Sequence, residues 1–281
     1  MAVNIYTYKN CLDFSANCNP LGTPESVKQA VRDSLEYMKD YPQVGYAPLK
    51  KAIAEYEGVA SESVICGNGA AELVFSLCQA VKPKKALIPV PTFAEYEQAL
   101  TSCGCEVEHV LLREEEGFSL QDSFINWLHR DLDMVFLCNP NNPTSSAIMQ
   151  EDLRKLIAFC ADKDIFVMID ETYVEFAPDV DEITAIPLTR EFTNLMVLRG
   201  VSKFYAAPGM RLGYGITGNM EFLSKMREKQ TPWSLNSLGA FAGEKMLLDH
   251  DYFRRTRDLI LGERDRMETE LKKLPIFKVY P

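Results

Sequence analysis

From residue 64 onward, short apolar runs and helix-period stretches take turns, and this alternation constrains the fold more than any other feature of the chain. Runs of strand length stand at 64–66, 86–90, 107–111, 134–137, 165–169 and 195–198. Helical patterns fall between them, opening at G-N-G-A-A-E and covering 94–103, 120–128 and 151–163. Strands joined through helices predict a largely parallel sheet with both faces covered, a three-layer α/β architecture. Ahead of this region, Pro24 opens a helix with Val27, Val31 and Leu35 at helical spacing, and a second helix carries Leu49, Ile53 and Tyr56 on one face. After Gly218 the pattern is helical, and 251–274 alternates acidic and basic residues like a solvated helix face. There is no internal repeat.

In open sheets of this kind the ligand lies at the carboxyl ends of the strands. Asn142, Asp170, Tyr173, Ser202 and Lys203 all fall at or just past such ends. The stretch 197–214 (V-L-R-G-V-S-K-F-Y-A-A-P-G-M-R-L-G-Y) delivers Ser202 and Lys203 into a turn between two apolar strands, with Arg211 heading the second. A lysine there is expected to be poorly solvated, and desolvation makes an amine a better nucleophile toward an aldehyde. The small residues of G-N-G-A-A-E, which include Gly69, Ala70 and Ala71, leave free N–H groups at a helix start, which suits a phosphate. Each feature has a plainer local reading: a surface lysine, a strand-capping acid, an ordinary strand-to-helix turn. Their convergence points to a site for a polar, phosphorylated ligand.

Composition narrows the function classes. The chain has 281 residues, enough for one large α/β domain or somewhat more, with 47% hydrophobic and 25% charged residues. A net charge of -10 argues against a nucleic-acid partner, which needs basic surface. No signal peptide, basic amphipathic stretch or membrane-length apolar run is found. Eight cysteines without a C-x-x-C pair, and three histidines, argue against a zinc site. Cysteines scattered through apolar segments read as small core residues in a reducing compartment, so a cytoplasmic location is expected.

Five motifs in order resemble the fold-type I pyridoxal phosphate (PLP) enzymes of the aminotransferase superfamily: G-N-G-A-A-E, P-T-F-A-E-Y, N-P-N-N-P-T, D-E-T-Y and S-K-F-Y-A-A-P-G-M-R-L-G-Y. The resemblance extends from Leu12 to the end and is greatest to threonine-phosphate decarboxylases and histidinol-phosphate aminotransferases. It implies that Lys203 attaches the cofactor covalently and that Asp170 pairs with the protonated pyridine nitrogen. It further implies that Asn142 and Tyr173 bond the phenolic oxygen, that Phe93 stacks on the ring, and that Gly69, Ala70, Ala71, Ser202 and Arg211 hold the phosphate. Tyr41 would reach the cofactor phosphate of a second copy, implying a homodimer. Asn17 would contact a small phosphorylated amino-acid substrate, with Asn236 on the same side of the pocket. The implied organisation is an arm over 1–24, a large PLP-binding domain over 25–234, and interdomain helices with the start of a truncated small domain over 235–281.

Two departures from the family pattern stand out. Pro143-Thr144-Ser145 replaces N-P-T-G, so the turn there is expected to differ slightly. Gly200 stands where relatives carry Ser or Thr, which removes one phosphate contact. The segments L-D-F-S-A-N-C-N-P-L-G and T-P-W-S-L-N, together with Phe93, favour decarboxylation of L-threonine O-3-phosphate. The decarboxylases' N-terminal His-Gly-Gly segment is absent. The rival is an aminotransferase acting on histidinol phosphate or an aromatic amino acid, with Lys203 as the base. Rivals of other classes are a non-catalytic PLP-binding remnant and a nucleotide-binding protein; the latter lacks the third glycine of G-x-G-x-x-G.

Overall fold

Both faces of the sheet are covered, and this explains why the strands read as near-continuous apolar runs. In the computed structural model, which describes residues 16–280, seven strands form one sheet in the order β1-β7-β6-β5-β4-β2-β3. They are β1 (Val64–Asn68), β2 (Lys85–Val90), β3 (Glu106–Leu111), β4 (Met134–Cys138), β5 (Phe166–Asp170), β6 (Leu195–Gly200) and β7 (Leu212–Ile216). The helices are α1 (Glu25–Ser34), α2 (Ala47–Glu57), α3 (Ala70–Val81), α4 (Glu95–Ser102), α5 (Gln150–Ala161), α6 (Met220–Lys229), α7 (Ser237–Met246) and α8 (His250–Lys272).

Alternate strand residues feed two cores. Val135, Leu137, Val167, Ile169, Leu195 and Val197 point to the face covered by α2, α5, α7 and α8, where they meet Leu49, Ile53, Ile157, Met246 and Tyr252. Phe136, Met168, Met196 and Leu198 point the other way, to Leu73 and Leu77 of α3, Tyr96 and Leu100 of α4, and Met226 of α6. Cys66, Cys78, Cys105, Cys138 and Cys160 are buried as small core residues. The edge strand β3 carries Glu106 and Glu108, which pair with Lys85, and such charges discourage edge-to-edge association.

Six strands run parallel, and β7 alone is reversed, antiparallel to both β1 and β6. The reversal brings the start of β7, and Arg211 before it, to the edge where the other strands end. The helix expected over 120–128 is instead a 3-10 segment, Asp122–Trp127. Asp122, Ser123 and Asn126 compete for backbone hydrogen bonds there, and within the segment only Phe124 is buried. Residues 16–24 form no helix or strand, and residues 12–15 of the expected arm motif lie outside the described residues. Among the described residues, no helix is long and apolar enough to cross a membrane.

Candidate active site

The carboxyl ends of the strands gather most of the expected residues into one arc. Asp170 ends β5 and is 5% exposed. Its Oδ1 accepts from the Thr172 N–H at 2.9 Å and the Thr172 hydroxyl at 2.6 Å, and its Oδ2 accepts from the Tyr96 hydroxyl at 2.8 Å. The two oxygens of a carboxylate offer about four lone-pair sites, so one on Oδ2 remains. Burial and the Asp170 charge hold the Tyr96 hydroxyl firmly protonated, as a donor must be. Phe93 packs edge-on to Tyr96, with ring centroids 5.5 Å apart. Cys138, paired with Asp170 across β4 and β5, has its thiol pushed up to about 12 by burial, so it adds no charge beside the carboxylate.

At the far end of the arc stands the first turn of α3. Gly69, with φ of +79°, turns the chain from β1 into this helix. Residues with a side chain resist this backbone conformation, and a Cβ there would also lie 2.4 Å from Arg211 Nη2. The Arg211 guanidinium therefore lies against the helix start that carries Ala70 and Ala71, its Nη2 3.5 Å from the Asn68 carbonyl. Free N–H groups and a guanidinium so placed fit a phosphate.

Ser202 and Lys203 occupy the turn after β6, as expected, but Lys203 is only half-buried rather than withdrawn from solvent. Val201, Phe204 and Tyr205 take the buried positions of this turn, which leaves Lys203 nearer the surface. The turn is braced from the arm: the Asn19 N–H donates to the Lys203 carbonyl at 3.0 Å, while the Asn19 amide donates to the Phe204 carbonyl and to Thr256 of α8. Asn17 is exposed and lies near the Tyr173 hydroxyl. Burial raises the Tyr173 hydroxyl pKa, and the Asn17 contact partly offsets that rise. Asn142 is half-buried just past β4. Ser145 holds φ at +63°, so the turn after Asn142, where the family pattern predicts a difference, keeps a left-handed residue despite its side chain. Two expected residues stand apart from the arc. Tyr41 is 80% exposed and packs on Trp233 at 4.8 Å. The Asn236 amide caps α7, accepting from Gly239 N–H at 2.7 Å and donating to the Met210 carbonyl at 3.1 Å, so a substrate contact would have to use its remaining capacity.

Sequence reasoning missed Tyr96, Thr172 and a buried ionic cluster behind the site. Arg199 of β6, 3% exposed, lies 3.0 Å from Glu171, 3.3 Å from Glu175 and 3.6 Å from Glu57. An arginine inside an apolar strand run was the available signal, since a buried guanidinium requires carboxylate partners. Burial pushes Glu175 up to about 7, with Glu57 and Glu171 adding to the rise and Arg199 opposing it. The unpartnered Glu175 Oε2 fits a carboxyl that keeps its proton. A carboxyl raised in the fold contributes stability in full below its unfolded pKa of 4.5 and loses it as pH rises through 7. The change is worth about 3 kcal/mol. Glu175→Gln is therefore expected to flatten the stability profile over that window, read as urea midpoints at pH 5 and pH 8. Parallel profiles for the two proteins would rule this out.

The chain is similar to known proteins along nearly its whole length. The chain is 40% identical over 270 residues to a threonine-phosphate decarboxylase of Salmonella typhimurium, covering 96% of this chain and 74% of the relative. It is 31% identical over 275 residues to histidinol-phosphate aminotransferase 2 of Archaeoglobus fulgidus, covering 97% and 76%. The crystal structure of the histidinol-phosphate aminotransferase from Clostridium acetobutylicum matches with a TM-score of 0.89 at 32% identity, covering 96% of this chain and 80% of that one. The profile described as aminotransferase class I and II matches residues 9–281. With that match over residues 9–281 and 40% identity to a relative covered to 74% of its length, the chain belongs to the class I and II aminotransferase family of PLP-dependent enzymes.

Proposed function

We propose that this chain is a PLP-dependent carboxy-lyase that converts L-threonine O-3-phosphate to (R)-1-aminopropan-2-yl phosphate and carbon dioxide. The observation that carries the cofactor is the Asp170 carboxylate, fixed by three donors with one acceptor site left, on the same sheet edge as the α3 start and Arg211. The 40% identity to a relative named threonine-phosphate decarboxylase supports the substrate.

When bound, the cofactor supplies a conjugated ring that accepts the electron pair left as a bond at the substrate Cα breaks. In this reading Asp170 Oδ2 holds the proton on the ring nitrogen. The Ala70 and Ala71 N–H groups, Ser202 and Arg211 bind the phosphate, with Gly69 giving the guanidinium its room. Phe93 covers one ring face, and Asn142 and Tyr173 donate to the phenolic oxygen. Lys203 Nζ would hold the cofactor covalently at its aldehyde position and, once the substrate amine has displaced it, would carry the proton that replaces the lost carboxylate at Cα. Asn17, near Tyr173, would contact the substrate. The exposed Tyr41 and Trp233 suit contact with a second copy, as in a homodimer. Residues 25–234 form the cofactor-binding unit.

The second reading, transamination of histidinol phosphate, draws on the similarity to the Clostridium acetobutylicum enzyme. In it, Lys203 would remove the Cα proton, and no carbon dioxide could leave because histidinol phosphate carries no carboxylate. The deciding assay supplies L-threonine O-phosphate to the cofactor-loaded protein and measures both carbon dioxide and keto product. Carbon dioxide without keto product is expected. A keto product from histidinol phosphate, with no carbon dioxide from L-threonine O-phosphate, would overturn the decarboxylase.

A further inference from the structure

Gly200 and Thr172 meet where β6 ends. A Cβ on Gly200 would lie 3.0 Å from Thr172 Oγ1 and 3.1 Å from its Cγ2, tighter than side chains ordinarily pack. The constraint is space rather than backbone conformation, because Gly200 lies within β6 and has no positive φ. Thr172 is also the residue whose N–H and hydroxyl both donate to Asp170 Oδ1. A β-branched side chain carries both heavy atoms on one stiff torsion. Thr172 therefore cannot move its methyl away from position 200 without turning its hydroxyl off Asp170.

We propose that Thr172 and Gly200 act as one interlocked pair that sets the Asp170 carboxylate: Thr172 is a positioning residue for it, and Gly200 is the space in which Thr172 stands. The inference rests on the reading of Asp170 as the partner of the cofactor's ring nitrogen. With Oδ1 held by two donors and Oδ2 by Tyr96, the carboxylate cannot rotate, and its remaining lone pair keeps a fixed direction. The missing side chain at 200, which at the sequence level reads only as a lost phosphate contact, is what admits a hydroxyl to the aspartate.

The experiment titrates PLP into the full chain and its variants. Thr172→Val keeps the shape and removes the hydroxyl, and is expected to weaken cofactor binding about 10-fold, the scale of losing one hydrogen bond to a charged group. Thr172→Ser keeps the hydroxyl and should bind within about twofold of wild type, a rescue that a merely space-filling role would not give. Gly200→Ala should match Thr172→Val, and should add less than about twofold in the Thr172→Val background, because no hydroxyl remains to displace. Equal binding by wild type and Thr172→Val, or full additivity of the two changes, would overturn the pair. A wild type that takes up no cofactor would instead sink the PLP reading itself, and the pair's role with it.

Discussion

Lys203→Ala is expected to abolish carbon dioxide release, by more than about 10⁴-fold, since proton transfer by a positioned group alone contributes about 10²–10⁴-fold and covalent attachment is lost as well. The fold should be unaffected. Lys203 is half-buried in the turn after β6, and among the described residues its ammonium has no ion pair. The contacts that brace this turn land on its backbone carbonyls: the Asn19 N–H on that of Lys203 and the Asn19 side-chain amide on that of Phe204, neither of which alanine disturbs. Three measurements on the same samples separate chemistry from folding. The urea midpoint should match wild type. Borohydride should fix the cofactor to the wild-type chain and not to the variant. Carbon dioxide release should survive only in the wild type. A variant that retains both release and borohydride labelling would assign the attachment to another amine and remove Lys203 from the mechanism.

The strand-ending residues were legible because their chemistry is conspicuous against apolar runs. Asp170 ends a near-continuous hydrophobic stretch and Asn142 lies in the polar turn that follows another, and in a parallel sheet buried on both faces the strand ends are where polar side chains can stand. The reversed direction of β7 was not legible. A five-residue apolar run has the same composition whichever way it pairs, and only the pairing of Gly213 with Gly200 and Gly67 reveals the reversal. Tyr96 was hidden for a different reason. Within P-T-F-A-E-Y it reads as a packing aromatic on a helix, and its hydroxyl reaches Asp170, 74 residues away along the chain, only through the tertiary fold. Thr172 was hidden by proximity: in D-E-T-Y a threonine two residues past an aspartate reads as turn chemistry, which it is, and its second contact at Gly200 exists only in three dimensions. Local sequence thus shows which groups could react, while the groups that orient them come from elements distant in the chain.

Arg199→Met is expected to destabilise the protein by about 3–5 kcal/mol at pH 8, the range for removing one partner of a buried ion cluster. Methionine can follow the same course through the core, so lost packing is a minor part. The larger part is what stays behind. The Glu57, Glu171 and Glu175 side chains are 7%, 0% and 7% exposed, and Arg199 is the cation that faces all three. Glu171 retains the Thr184 hydroxyl and the Ala185 N–H as donors, whereas Glu175 already has an oxygen without a partner. Burial raises the pKa of both carboxyls, and removing the guanidinium that opposes the rise must push them higher. The penalty is therefore smaller at pH 5, where the variant can protonate its carboxyls, than at pH 8, where it must bury charge or hold protons against the solvent. Adding Glu171→Gln to Arg199→Met should recover part of the loss at pH 8 and little at pH 5. Urea midpoints for the single and double variants at the two pH values test this. An equal loss at both, with no recovery in the double variant, would show that Arg199 contributes through packing rather than charge. Because Arg199 directly precedes Gly200 in β6, the same ion cluster anchors the strand end on which the Thr172 contact depends.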